Sequence, residues 1–232
     1  MRFSIFSIYE AYRLKKRKHI VNNSIQKYIA SNSTLKLHIG AGGSILEGWL
    51  NTDFEHFEKG CIYLDASVPF NIPNDTFDYI YSEHLFEHLN IEGQINMLSE
   101  SLRILKKGGV CRIATPNLDF LLSVVTNEQN DFVQQYLNWA SENYFPKNAY
   151  QHLNDIDKKV HYLNHYFHNW GHQFIHNKSS FLKLAKNYPY SQIAQKEVHE
   201  SNYECFINIE THGNVITPEY NNAETMIFEL VK

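Results

Sequence analysis

The feature that most constrains this chain is a recurrence: four short apolar runs follow one another, each ending in glycine or in polar and acidic residues. Leu35–Ile39 runs into Gly40-Ala41-Gly42-Gly43, Trp49–Thr52 into Asp53, Cys61–Leu64 into Asp65, and Phe77–Tyr81 into Ser82-Glu83-His84. Runs of this length read as strands, and their alternation with helical segments points to a parallel sheet. Between Glu92 and Lys107, Ile95, Leu98, Leu102 and Leu105 keep one apolar helical face. Gly108-Gly109 is expected to stop that helix, and Val110–Ala114 to form a fifth strand before Thr115-Pro116-Asn117. In an open parallel sheet ligands sit beyond the carboxyl ends of the strands, so the recurring glycines and acids fall along the ligand-facing edge.

From Leu118 to about Asn177 the pattern becomes helical or irregular and rich in Asn, Tyr and His, as expected of an insertion over the sheet. A helix around Ser179–Lys186 leads back to strands near Ile193–Val198 and Thr225–Val231, with a polar loop containing Gly213 and Pro218 between them. Seven strands and one insertion in 232 residues make one domain, spanning 35–232, with 118–178 as a helical His/Tyr-rich lid and 1–34 as a helical extension.

A formal charge of −4 argues against a general nucleic-acid binder. Cys61, Cys111 and Cys205 stand far apart, which excludes a zinc ribbon or a disulfide framework and fits a reducing cytoplasm. No run of eighteen apolar residues is present to span a membrane. Residues 1–20 are basic, and Ile5, Ile8, Tyr9 and Tyr12 recur with helical spacing. Most of the charge follows the apolar stretch, unlike a signal peptide. The expectation is an amphipathic helix packed on the domain or on a second copy in a homodimer; the alternative is contact with the inner membrane face.

The residue types at the sheet edge describe an adenosine pocket. Glycines let the backbone approach a ligand closely. An acid closing the second strand can accept from both ribose hydroxyls, and a second acid one strand further out suits the adenine amine. A dinucleotide fits less well. There is no G-x-G-x-x-G, Asp53 comes thirteen positions after Gly40 where a dinucleotide fold allows about twenty, and Ser44–Gly48 leaves room for hardly more than one helical turn to cradle phosphate.

In the segments LHIGAGG, GWLNTD and YLDASVPFNIPNDTFDYIYSEHLFEHL the chain resembles the class I S-adenosylmethionine-dependent methyltransferases, most of all the small bacterial group with a type 11 methyltransferase domain. The resemblance covers about 35–117, and the later segment GHQFIHNKSSFLKLAK is also similar to a family segment. It implies a Rossmann-like α/β fold, a seven-stranded, mostly parallel sheet with an antiparallel last strand, S-adenosylmethionine across the switch point, and S-adenosylhomocysteine as product. Carried onto this sequence, it implies that the loop Gly40, Ala41 and Gly42 flanks the methionine moiety, Asp53 holds the ribose, and Asp65 with Ala66 contacts the adenine. It further implies that Ser82, Glu83 and His84 line the side from which the methyl leaves.

Transfer to an alcohol benefits from a base with a pKa near neutrality, which makes histidine the natural candidate. His84 directly follows the fourth strand, and His172 lies in the segment expected to cover the pocket; these two are the candidate catalytic residues. His88, beside Glu87, reads as a packing residue or a support to the catalytic groups. His161, His165, His168, His172 and His176 have the spacing of a metal set, but Gly171 interrupts it and no HExxH is present. The set therefore reads as a lid that hydrogen-bonds a polar substrate, with no metal. Tyr162, Tyr166, Phe167 and Trp170 read as core, with sugar stacking as the alternative. The expected function is O-methylation of a sugar or other small polyhydroxylated acceptor, in surface-polysaccharide assembly. The rivals are a non-catalytic S-adenosylmethionine-binding module whose lid serves a partner protein, and a metal-dependent hydrolase using the His161–His176 cluster.

Overall fold

The structure is a computed structural model that describes residues 21–55, 60–127, 129–145, 155–212 and 216–232. The basic stretch 1–20 and Gly213 lie outside the described residues. Residues 21–31 form α1. Then come β1 (Lys36–Ile39), β2 (Leu50–Asp53), β3 (Cys61–Tyr63), β4 (Phe77–Glu83), a 3-10 turn at Phe86–His88, α2 (Ile91–Ile104) and β5 (Leu105–Pro116). Three helices follow, α3 (Leu118–Thr126), α4 (Asp131–Tyr144) and α5 (Asp155–His168), before α6 (Lys178–Ala185), β6 (Gln192–Lys196), a 3-10 turn at Glu204–Phe206, α7 (Pro218–Glu224) and β7 (Thr225–Val231).

The sheet has seven strands in the order β3-β2-β1-β4-β5-β7-β6. β1 to β5 pair in parallel, while β7 runs antiparallel to both β5 and β6. The order reverses between β1 and β4, so the carboxyl ends of these neighbours diverge and open a crevice between them. This is a Rossmann-like α/β fold. Among the described residues no helix is long and apolar enough to cross a membrane.

Two elements differ from the pattern expected of the sequence. α2 ends at Ile104, and Gly108-Gly109 belong to β5 rather than to a helix stop. Leu105 pairs with Phe77, but the next partners are Val110 and Tyr79, so the residues between bulge out of the ladder. The bulge is capped by the chain end, where the Gly108 amide donates to the Lys232 carbonyl and the Lys232 amide to that of Gly109. The polar loop around Pro218 is the helix α7. Thr217 caps it by accepting from the Tyr220 amide, and Pro218 occupies the first turn, where its missing N–H costs nothing. The β1–β2 connection holds no helix.

The main core packs α1, α2 and α6 on one face of the sheet around Leu37, Ile39, Ile80, Phe86, Leu98, Ile113, Phe181 and Phe228. A second core is built within α3–α5, around Leu121, Val124, Tyr136, Leu137, Tyr162 and Tyr166. A third gathers Trp49, Tyr81, Val110 and Phe206. Here Arg112 is wholly buried; its Nε donates to Glu210 at 2.7 Å, and one terminal nitrogen to Glu229 at 2.7 Å and to the Glu200 carbonyl at 2.9 Å. This pair and its carbonyl bond hold the segment after β6 against the sheet.

Candidate active site

At the end of β1 the chain turns sharply. The Gly40 and Ala41 amides both donate to the Thr52 carbonyl, at 2.8 and 2.9 Å, and Gly40 sits at φ +74°. A Cβ there would lie 2.8–3.0 Å from the Leu85 side chain, so only glycine lets β1 and the turn after β4 approach this closely. Asp53 answers from β2: one oxygen accepts from the Gly42 amide at 3.0 Å, the other from the Glu55 amide at 2.9 Å. Each carboxylate oxygen retains a further lone pair. Asp65 accepts through one oxygen from the Ser67 amide and hydroxyl, at 2.9 and 2.6 Å.

Gly40, Asp53, Asp65 and Ala66 line one cavity of about 400 Å³, together with Leu64, Ser67, Leu85 and His88. That volume lies within the range of about 300–1,000 Å³ usual for small-ligand sites. Chain neighbours apart, no atom of the described residues lies within 4 Å of a Cβ built at Gly42 or Gly43, so the loop leaves its backbone open to a ligand. A nucleoside with two hydroxyls and an exocyclic amine fits this donor and acceptor set.

Three residues expected at this ligand stand elsewhere. Ala41 is buried beneath the loop. Ser82 is fully buried, and its hydroxyl finds no hydrogen-bond partner among the described residues. Glu83 accepts from the amides of Thr211 and His212 and from the Thr211 hydroxyl, at 2.8–3.0 Å. β4 extends through Glu83, and the carboxylate there clamps the 211–212 segment instead of facing the cavity.

Beside the first cavity lies a second of about 210 Å³, lined by His84, Glu87, His88, Tyr144, Tyr166, Trp170, His172, His212 and Glu224. His88 borders both. His84 leaves β4 at φ +48°, a left-handed conformation that aims its ring back at the 3-10 turn. Its Nδ1 lies 3.1 Å from Glu87, whose other oxygen accepts from the Thr115 hydroxyl at 3.2 Å. Burial alone would lower the His84 pKa; the hydrogen bond to Glu87 and the charges of Glu87, Glu224 and Glu83 outweigh it and raise the pKa above the ordinary histidine value. Burial opposes ionisation of Glu87, yet the His84 partnership wins and lowers its pKa.

His172 is the opposite case. Its Nδ1 lies 2.6 Å from the Tyr166 carbonyl, which can only accept, so Nδ1 carries the hydrogen and Nε2 keeps its lone pair. Burial lowers its pKa and keeps the ring neutral. α5 ends at His168, and consecutive left-handed residues, Trp170 at φ +56° and Gly171 at +82°, reverse the chain to deliver this ring. It meets His88 edge to face, with centroids 5.0 Å apart. The Gln173 and Phe174 amides then donate to the Glu87 carbonyl, and the Gln173 side chain to that of His88. Behind them His176 donates from Nε2 to Gln94 at 2.8 Å, and the Gln94 amide nitrogen donates to the Phe86 and Phe174 carbonyls.

The five-histidine set does not converge. His165 pairs with Asn169 and packs on Tyr144, and His176 is turned inward to Gln94 and Ser180. Of the candidate catalytic residues, His84 and His172 do reach one cavity. Sequence reasoning left His88 as a supporting residue and missed His212 and Glu224. The doubled Glu-His pair at 83–84 and 87–88 was the available signal for His88; Glu224 and His212 carry none, for they pair with each other at 3.1 Å from opposite ends of a segment outside any motif.

Residues 37–113 match the family model described as a methyltransferase domain. No curated protein sequence matches the chain. Among solved structures, a SAM-dependent methyltransferase from Archaeoglobus fulgidus is 15% identical, with a TM-score of 0.51 over 99% of this chain and 100% of that one. An S-adenosylmethionine-dependent methyltransferase from Mesorhizobium loti is 12% identical, with a TM-score of 0.51 over 85% of this chain and 90% of the other.

Proposed function

We propose that this chain is a class I S-adenosylmethionine-dependent methyltransferase, a reading supported by the methyltransferase-domain match over residues 37–113 and by the seven-stranded sheet, and that it methylates a hydroxyl of a small polyhydroxylated acceptor, a sugar unit, held in the histidine-lined cavity. The observation that carries the reading is His172. A neutral imidazole with its tautomer locked by the Tyr166 carbonyl holds an Nε2 lone pair toward the cavity that adjoins the nucleoside site.

Bound S-adenosylmethionine supplies a methyl carbon made electrophilic by its sulfonium. Gly40, Asp53, Asp65 and Ala66 would hold the nucleoside end, and the Asp53 bond to the Gly42 amide keeps the loop in place for it. His88 stands where the two cavities meet. Holding the two reactants in line can lower the barrier by about 7–11 kcal/mol. His172 accounts for the proton the acceptor oxygen must lose. His84 keeps Glu87 oriented through its Nδ1 contact at 3.1 Å. The aromatic walls at Tyr144, Tyr166 and Trp170 offer flat apolar faces to a sugar ring. The basic residues 1–20 suit work beside an anionic membrane, where surface polysaccharides are assembled.

Calorimetry with S-adenosylhomocysteine, followed by turnover on a panel of sugars, tests this. Asp53→Ala should weaken product binding by about 1.5–3 kcal/mol, as for loss of hydrogen bonds to a charged group. His172→Gln should keep that binding and lose at least about a hundredfold in turnover. Binding without consumption of donor on any hydroxylated acceptor would instead favour a non-catalytic binding module.

A further inference from the structure

We propose that Glu87, His88 and His172 form a binding site for a first-row divalent cation, which chelates two neighbouring oxygens of the acceptor beside the methyl donor. The inference rests on the hydroxyl-acceptor reading above and changes the part His172 plays in it, from accepting the proton directly to holding an ion that acidifies the hydroxyl.

The three side chains each offer one ligand atom, and these atoms lie within 4.8 Å of one another. Two imidazoles and one carboxylate on one side of an ion are the donor set of zinc, iron and their neighbours, and imidazole disfavours magnesium or calcium. Each ligand is held from behind, as metal ligands are. The Tyr166 carbonyl fixes the His172 tautomer with Nε2 outward, and His84 with Thr115 anchors the Glu87 carboxylate. The His172 segment is fastened to the 3-10 turn by the bonds from Gln173 and Phe174 to the Glu87 carbonyl. The ligands therefore come from two segments far apart in sequence yet rigidly joined.

Three protein ligands leave coordination positions open, the arrangement of catalytic rather than structural sites. Because His88 also borders the nucleoside cavity, oxygens placed on those positions would adjoin the donor site. An ion there lowers the pKa of a bound hydroxyl as it does that of bound water. The hydroxyl proton passes to solvent, the oxygen lone pair forms the C–O bond, and the S–CH₃ bond breaks with its electron pair returning to sulfur. Chelation selects acceptors with adjacent oxygens, a vicinal diol or an α-hydroxy acid, over isolated alcohols.

The test uses the full chain without a histidine tag, treated with chelator and titrated with Co²⁺ as a visible-absorption probe and Zn²⁺ as competitor. One equivalent of Co²⁺ should give a saturable d–d spectrum that Zn²⁺ displaces. His88→Ala and His172→Ala should each weaken it by more than the roughly 10–100-fold typical of losing a supporting residue. His165→Ala should leave it intact, and S-adenosylhomocysteine affinity should not change in His172→Ala or His165→Ala, since neither residue lines the nucleoside cavity. Turnover on a vicinal diol should fall with chelator and return with Zn²⁺ or Co²⁺. No saturable spectrum, or one that survives in both ligand variants, would overturn the site. If the spectrum fails while His172→Gln still abolishes turnover, the ion is refuted and the hydroxyl-transfer reading stands. Failure of the product to bind at all would strike that reading instead.

Discussion

The two cavities share His88 and lie on one sheet edge, yet they are built on different plans. At the proposed nucleoside end, residues from two segments, 39–67 and 85–90, supply nearly all the lining. At the histidine end side chains do the work, drawn from positions as distant as His84 and Glu224. The supports behind the two are nonetheless alike. Under the glycine loop, Asn51 donates to the Leu46 and Trp49 carbonyls while its oxygen takes the Leu46 amide and faces His38 Nδ1. Under the 3-10 turn, Gln94 donates to two carbonyls while its oxygen faces His176. In both, an amide side chain stitches irregular backbone together over a buried neutral imidazole. Irregular loops need such stitching because their buried polar groups have no ladder to join.

The largest way to separate the two ends is through Arg112. Removing it in Arg112→Ala leaves Glu210 and Glu229 buried without their cation, which should cost about 3–5 kcal/mol of stability by urea unfolding. The same change loosens the segment leading to Thr211 and His212, which Glu83 holds at the histidine cavity. Below the melting transition, product affinity should stay near wild type while turnover drops. An equal loss of both would mean that the two ends are one unit.

This contrast also sets what the sequence could reveal. Strands ending in Gly40, Asp53 and Asp65 announce themselves, because apolar runs and strand-end residues are local signals. The sheet and the lining of the first cavity could be read from them. β4 and β5 ran longer than their apolar runs, since Glu83 and the Lys106–Gly109 bulge are paired by tertiary contacts that periodicity does not register. Histidine spacing could not place these rings for a physical reason: spacing arguments assume one continuous helix, and the break already legible at Gly171 turns the chain before His172. Glu224 meets His212 and the Tyr136 hydroxyl only after α7 and α4 have packed against the sheet. No short window holds that information.

A pH titration of stability probes the two stitches separately. Burial lowers the pKa of both His38 and His176 to about 4, against an ordinary value of 6.5. Between those values the unfolded chain binds protons that the folded chain refuses. Stability from these groups is therefore present above about pH 6.5 and is lost as pH falls toward 4. From pH 7 to 5 each should contribute a loss of about 2 kcal/mol. His38→Asn and His176→Gln should each shrink the loss, since neither replacement titrates. A pH dependence unchanged in both variants would mean that neither imidazole is buried neutral.

The smallest expected effect is confined to the histidine end. α7 is seven residues long, and its far end carries Glu224, which holds His212 through one oxygen and takes the Tyr136 hydroxyl on the other. A helix this short cannot sustain itself on propensity, so its first turn depends on the Thr217 cap. That bond is long, 3.4 Å to the Tyr220 amide, which places Thr217→Ala toward the low end of the roughly 0.5–2 kcal/mol range for lost caps. For a chain of this size, a loss of about 1 kcal/mol lowers the melting midpoint by about 2–4 °C. Thr217→Ser should recover the shift, because it restores the accepting oxygen. Product affinity should remain wild type in both variants, since α7 contributes no residue to the nucleoside cavity. A weakened affinity in Thr217→Ala that Thr217→Ser restores would show the cap reaching across His88 into the nucleoside end, and the separation of the two ends would fail there.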